Sequence, residues 1–102
     1  MAETFWLSFE LKSDATYSDR YGTLIEALKK HVSGKWWFET TSFYVFSSGS
    51  SADTIAAAIK SAIEPKTDRV ILGMTDFKTA RAIGLFNKFD DLQSLIPFIK
   101  KA

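Results

Sequence analysis

The run KWWFETTSFYVFSS, from Lys35 to Ser48, is too rich in aromatic and β-branched residues to be a helix and too long to be one simple strand. Glu39, Thr40 and Thr41 are its least apolar section, so a bend, bulge or tight turn there divides it into strands over about 35 to 39 and 42 to 47. The rest of the chain supplies the other members of a sheet and its cover. TFWLSFELK, Thr4 to Lys12, alternates: Phe5, Leu7, Phe9 and Leu11 point to one face, Trp6, Ser8 and Glu10 to the other. DRVILGMTD, Asp68 to Asp76, sets Val70, Leu72 and Met74 against Ile71 and Gly73, and apolar residues on both sides predict burial on both.

Two segments have helical spacing instead. Tyr17, Tyr21, Leu24, Ile25, Leu28 and Val32 form one apolar stripe, with Thr16 or Ser18 as N-cap, Asp19 at the positive end of the dipole, and Lys29, Lys30 and His31 at the negative end. Gly34 suits the left-handed conformation that stops it. Ile55, Ile59 and Ile63 form the second stripe, capped by Ser51 or Asp53, kept slim by Ala56, Ala57, Ala58 and Ala62, and ended by Pro65. In the tail, Ala80 to Phe86 reads as a short fifth strand. Asp90 to Lys100 reads as a short helix with Leu92, Leu95, Ile96 and Ile99 inward, limited by Pro97.

A chain of 102 residues is one domain's worth. The order strand, helix, strand, strand, helix, strand predicts an α+β fold, a ferredoxin-like βαββαβ sandwich with both helices on one face of an antiparallel sheet. Its core spans about 4–76, and 77–102 form a C-terminal strand and helix appendage. Helices on one face leave the other bare, and aromatics make up 15% of the chain. Such a patch marks an interface, so a homodimer through the open sheet face is expected, with Trp6, Tyr44 and Phe46 in it.

Thirteen basic and twelve acidic residues give a net charge of +1, without the basic excess of a nucleic-acid binder. The absence of cysteine removes disulfides, thiolate metal sites and cysteine nucleophiles, and is compatible with a reducing compartment. No apolar run approaches the ~18 residues of a membrane span, and MAETFW is acidic, so no signal peptide is visible and a cytoplasmic location is expected.

Glu10 is the acid nearest a strand end on the face expected to be open. It is a solvated or lysine-paired carboxylate, with Lys12 at hand, or it faces its twofold mate and holds a divalent cation able to activate water. SDATYSDRY offers Asp14, Arg20 and several hydroxyls, as a capped helix start or as a phosphate-binding one. His31 is the only histidine, which excludes a multi-histidine metal site. Trp36, Trp37, Phe38, Phe43, Tyr44 and Phe46 resemble in composition a stacking platform for single-stranded RNA, but no lysine or arginine stands between 36 and 50, and core or dimer packing explains them better. SSGSS precedes a helix as phosphate loops do, yet has one glycine and no P-loop lysine.

Over roughly residues 4 to 76 the layout resembles the CRISPR-associated Cas-two family and its wider superfamily, which includes small ferredoxin-like proteins of toxin–antitoxin type. LSFEL stands where that family has an apolar strand ending in an aromatic and an aspartate, TTSFYVFSS resembles its serine-containing third strand, and DRVILGMTD its fourth. The resemblance implies homodimers and association with RNA or DNA, in some members as nucleases dependent on Mg or Mn. It places the metal-holding and catalytic acid on Glu10 and the strand serine on Ser42; beside it, Ser8 and Asp14 are weaker candidates for orienting water or phosphate and Arg20 for binding phosphate. Glutamate replaces the family's aspartate, and Arg20 stands alone where the family's first helix is rich in arginine. A non-catalytic dimeric interaction or regulatory module, antitoxin-like, is the alternative, and the near-neutral charge favours it.

Overall fold

The computed structural model describes residues 3–74 and 80–101. Its elements run β1 (Glu3–Glu10), α1 (Tyr17–Lys29), β2 (Trp36–Trp37), β3 (Phe43–Ser48), α2 (Ala52–Ala62), β4 (Arg69–Met74), β5 (Arg81–Ala82), α3 (Phe89–Leu95) and β6 (Lys100–Lys101). The protein is a small α+β structure in which β2-β3-β1-β4 form one antiparallel sheet and β5 and β6 a small parallel pair. This architecture is compatible with a ferredoxin-like arrangement. The Lys35–Ser48 run divides where its apolar character dips, although the second strand keeps only Trp36 and Trp37. Ser42, in the intervening turn, has φ of 61°, a left-handed conformation uncommon outside glycine, and its carbonyl accepts the Phe9 amide at 3.0 Å. The last two residues expected in the fourth strand, 75 and 76, lie outside the described residues.

Alternation decides what each face buries. Phe5, Leu7 and Phe9 of β1 and Tyr44 and Phe46 of β3 meet Leu24 and Leu28 of α1 and Ile55 and Ile59 of α2 in one core. Phe5 stacks on Phe46 and Phe9 on Tyr44, with ring centroids 5.7 and 6.0 Å apart. Ser51 caps α2 as expected, accepting the Thr54 amide at 3.1 Å. Thr16 occupies the N-cap of α1 but makes no capping bond; its hydroxyl donates to Asp14.

The opposite face is not bare. Trp37 and Val45 pack with Ala82, Leu92, Leu95, Ile96 and Ile99, and Trp6, Phe43, Phe86 and Phe89 flank them. The tail has folded back across the sheet and formed a second core. It is fastened by polar groups at its edges: the Thr4 hydroxyl donates to the Leu95 carbonyl at 3.2 Å, and Lys35 reaches Ser94 and Asp91. The main tie is Glu39. Its carboxylate accepts the amides of Asn87 (2.8 Å) and Lys88 at the start of α3, and the Trp37 indole N–H at 3.1 Å. Desolvation works to raise the Glu39 pKa, but these three donors and the Lys88 charge outweigh it and hold the carboxyl below its ordinary range. The helix is shorter than its sequence suggested, ending at Leu95 ahead of Pro97.

Two expectations are corrected here. Tyr44 and Phe46, assigned to a dimer interface, are 5% and 0% exposed beneath the helices, because they share a face with Phe5 and Leu7. Trp6 does lie on the other face, but the tail cluster packs against it. Its indole also rests on Gly73, where an added Cβ would come within 2.6 Å of the ring. Gly73→Ala is therefore expected to lower stability by about 1–3 kcal/mol through overpacking; denaturant unfolding of the variant beside the parent protein measures it.

Candidate functional site

The residues singled out for chemistry fall mainly in two places, and a third place, an apolar groove, holds none of them. At the first, Asp68 begins the approach to β4 with a side chain closed off from solvent. It accepts the amides of Lys12 and Glu64, each at 2.9 Å, and the Arg20 Nη1 group at 3.0 and 2.9 Å. Arg20 arrives from α1, whose helical register points it back at the end of β1. Its Nη2 donates to the Lys12 carbonyl (2.9 Å) and to Asp14 (2.8 Å), and its Nε donates to the Thr16 hydroxyl (3.2 Å). All three guanidinium nitrogens, which together carry five N–H donors, are thus engaged. Asp14 also accepts the Thr16 amide at 3.0 Å. Asp14 and Arg20, candidate phosphate binders by sequence, therefore form a clasp joining the end of β1, the start of α1 and the start of β4.

The charges in this clasp sustain one another. For both Asp68 and Asp14, desolvation pushes the pKa up. It is outweighed by hydrogen bonds, from the Lys12 and Glu64 amides to Asp68 and from the Thr16 amide to Asp14, together with the Arg20 charge. Both carboxyls lie below the ordinary aspartate value of 3.8.

At the second place, Glu10 and Arg69 face each other across the β1–β4 ladder and pair at 3.0 Å, with both side chains more than three-quarters exposed. The carboxylate is thus a solvated, ion-paired strand end, with arginine in place of the expected lysine. Ser8 is exposed on the same face, two residues before it. Ser42 stands on the β3 side of β1, where its carbonyl accepts the Phe9 amide, whereas the Glu10 carboxylate turns to Arg69 on the β4 side. Among the described residues no group of three or more His, Asp and Glu side chains is placed to hold a metal ion.

The remaining signals are absorbed by packing. The aromatic run sends Trp36 and Phe38 toward Tyr44 on the helix side and Trp37 toward Phe43 and Phe86 on the tail side. Burial, then the neighbouring Tyr21 hydroxyl, push the Tyr44 phenol above its ordinary pKa, so it stays neutral. His31 contacts the Ser50 hydroxyl at 2.9 Å, and Ser48 is buried and accepts the Ser50 amide, so the SSGSS loop is a set of local bonds.

The third place had no sequence signal of its own. Between α2 and β4 runs an apolar groove of about 500 Å³, floored by Leu7, Val70 and Leu72 and walled by Ala56, Ile59 and Ile63. β4 pairs only with β1, so among the described residues its outer edge is free. Ile71, on the side away from the helices, is 62% exposed. Two charged residues of α2, Asp53 and Lys60, stand at the groove's rim. A strand edge beside an apolar trough is a place where an extended segment pairs by backbone hydrogen bonds and buries alternate side chains.

Comparison with known proteins finds no protein-family model that matches the chain and no curated protein that matches it.

The clasp makes a pH prediction. Depressed folded-state pKa values mean that its stabilisation is complete above the ordinary aspartate value of 3.8 and is lost as pH falls through the lower folded values. Asp68→Asn is expected to cost about 3–5 kcal/mol at neutral pH, as when one partner of a buried pair is removed. It should also flatten the fall in stability on acidification, which unfolding curves at a series of pH values would record.

Proposed function

We propose that the chain is a non-catalytic interaction module with a ferredoxin-like arrangement, working in the cytoplasm, which receives a partner along the flank formed by α2 and β4. The observation that carries this reading is the groove. Its volume is about 500 Å³, its lining is mainly apolar, and it runs beside a strand edge that, among the described residues, has unused hydrogen-bonding capacity. The polar candidates support it from the other side, since Arg20 and Asp14 are spent on holding the fold and Glu10 is an exposed charge paired with Arg69.

The competing proposal is the Cas-two-like nuclease, with Mg or Mn at Glu10 and Ser42 beside the reaction. It requires a basic surface for phosphate, and the lone arginine at its expected helix start already has each of its three guanidinium nitrogens engaged within the fold. Incubation with single-stranded RNA and with duplex DNA, in magnesium and in manganese, separates the two. The interaction reading expects no cleavage, and no nucleic-acid affinity of the steeply salt-dependent kind that phosphate contacts give. Metal-dependent cleavage that disappears in Glu10→Ala would overturn it.

A further inference from the structure

We propose that the occupant of the α2–β4 flank is a second copy of this chain, joined about a twofold axis through antiparallel pairing of the two β4 strands; this rests on the interaction reading above and names its partner. The first ground is charge. Asp53 lies in the first turn of α2 and Lys60 in the last, seven positions apart, so both look out from the same side of the helix about 10 Å from each other. Both border the groove, and neither has an ion-pair partner among the described residues. A twofold axis perpendicular to the sheet brings two α2 helices side by side in opposite directions. Asp53 of each copy then meets Lys60 of the other, and the same patch complements itself, as an isologous interface requires.

The second ground is the pattern of β4. Residues opposite one another in an antiparallel pair share a face, so a twofold pairing that keeps apolar with apolar is centred on a residue rather than between two. Centring it on Ile71 sets the two exposed Ile71 side chains against each other on one face. On the other, Val70 of each copy faces Leu72 of its mate, and both grooves close. The strand carries none of the usual protection of an exposed edge in its middle: VILG has no charge and no proline, and its one flanking arginine is held by Glu10.

This dimer uses the sheet's edge, in contrast to the open-face dimer expected from sequence, whose surface the tail occupies.

Sedimentation equilibrium from micromolar to millimolar chain concentration tests it. The parent protein is expected to move from single to double mass. Asp53→Lys and Lys60→Asp should each weaken dimerisation about tenfold, since either turns two attractions into two repulsions, and the double exchange should restore it. Ile71→Lys should weaken it at least about a hundredfold, as a charge set at the centre of an edge pairing does, with far-ultraviolet dichroism and thermal unfolding confirming an intact fold. A single-chain mass throughout, or a dimer indifferent to Ile71→Lys, or one that the double exchange fails to restore, would overturn the inference. The cleavage and salt assays decide the broader reading independently.

Discussion

A sheet with two apolar faces must have both covered, and this chain does so with unlike materials. On one side α1 and α2 supply a cover of leucine, isoleucine and alanine over stacked phenylalanine and tyrosine rings. On the other, a short tail helix and its flanking turns cover Trp37 and Val45. Because a strand turns alternate residues to opposite sides, β1 and β3 serve both covers at once: Phe5 and Trp6, or Val45 and Phe46, are neighbours in sequence and belong to separate cores. The second cover reaches as far as Trp6 and leaves Ile71 of β4 open.

Polar groups keep these covers in place, and the same division holds among them. Arg20 and Asp68 knot the helical layer to the strand ends, and Glu39 ties α3 to the turn after β2. Both carboxylates accept backbone amides, to which Asp68 adds the Arg20 guanidinium, offsetting the cost of removing its charge from water, and Glu39 adds the Trp37 indole. Residues able to carry chemistry in a cleft are here employed as fasteners.

The elements were legible where side-chain period is strong. The strand at Thr4, both long helices, the division near Glu39 and the Ser51 cap all follow from alternation, spacing and capping chemistry. What escaped was partnership between distant segments. Leu92, Leu95, Ile96 and Ile99 were rightly assigned to an inward face, but nothing local says which sheet face they are inward to, so the surface they cover looked available to another chain. The same gap misplaced Tyr44 and Phe46, since the side of an alternating strand that meets the helices is set by register with β1 and not by composition. Asp68 and Glu39 were unremarkable in sequence because their partners are mainly backbone amides, which every residue but proline carries.

The strand made first during synthesis is bordered by the third and fourth strands, with β2 reaching it only through β3. Phe5, Leu7 and Phe9 therefore emerge from the ribosome long before the residues that shelter them, and none of their strand pairing is local in sequence. Topologies of this kind fold slowly relative to helical bundles and pass through a period of exposed greasy surface. For this chain that period ends only when β4 is available to complete the ladder on the far side of β1.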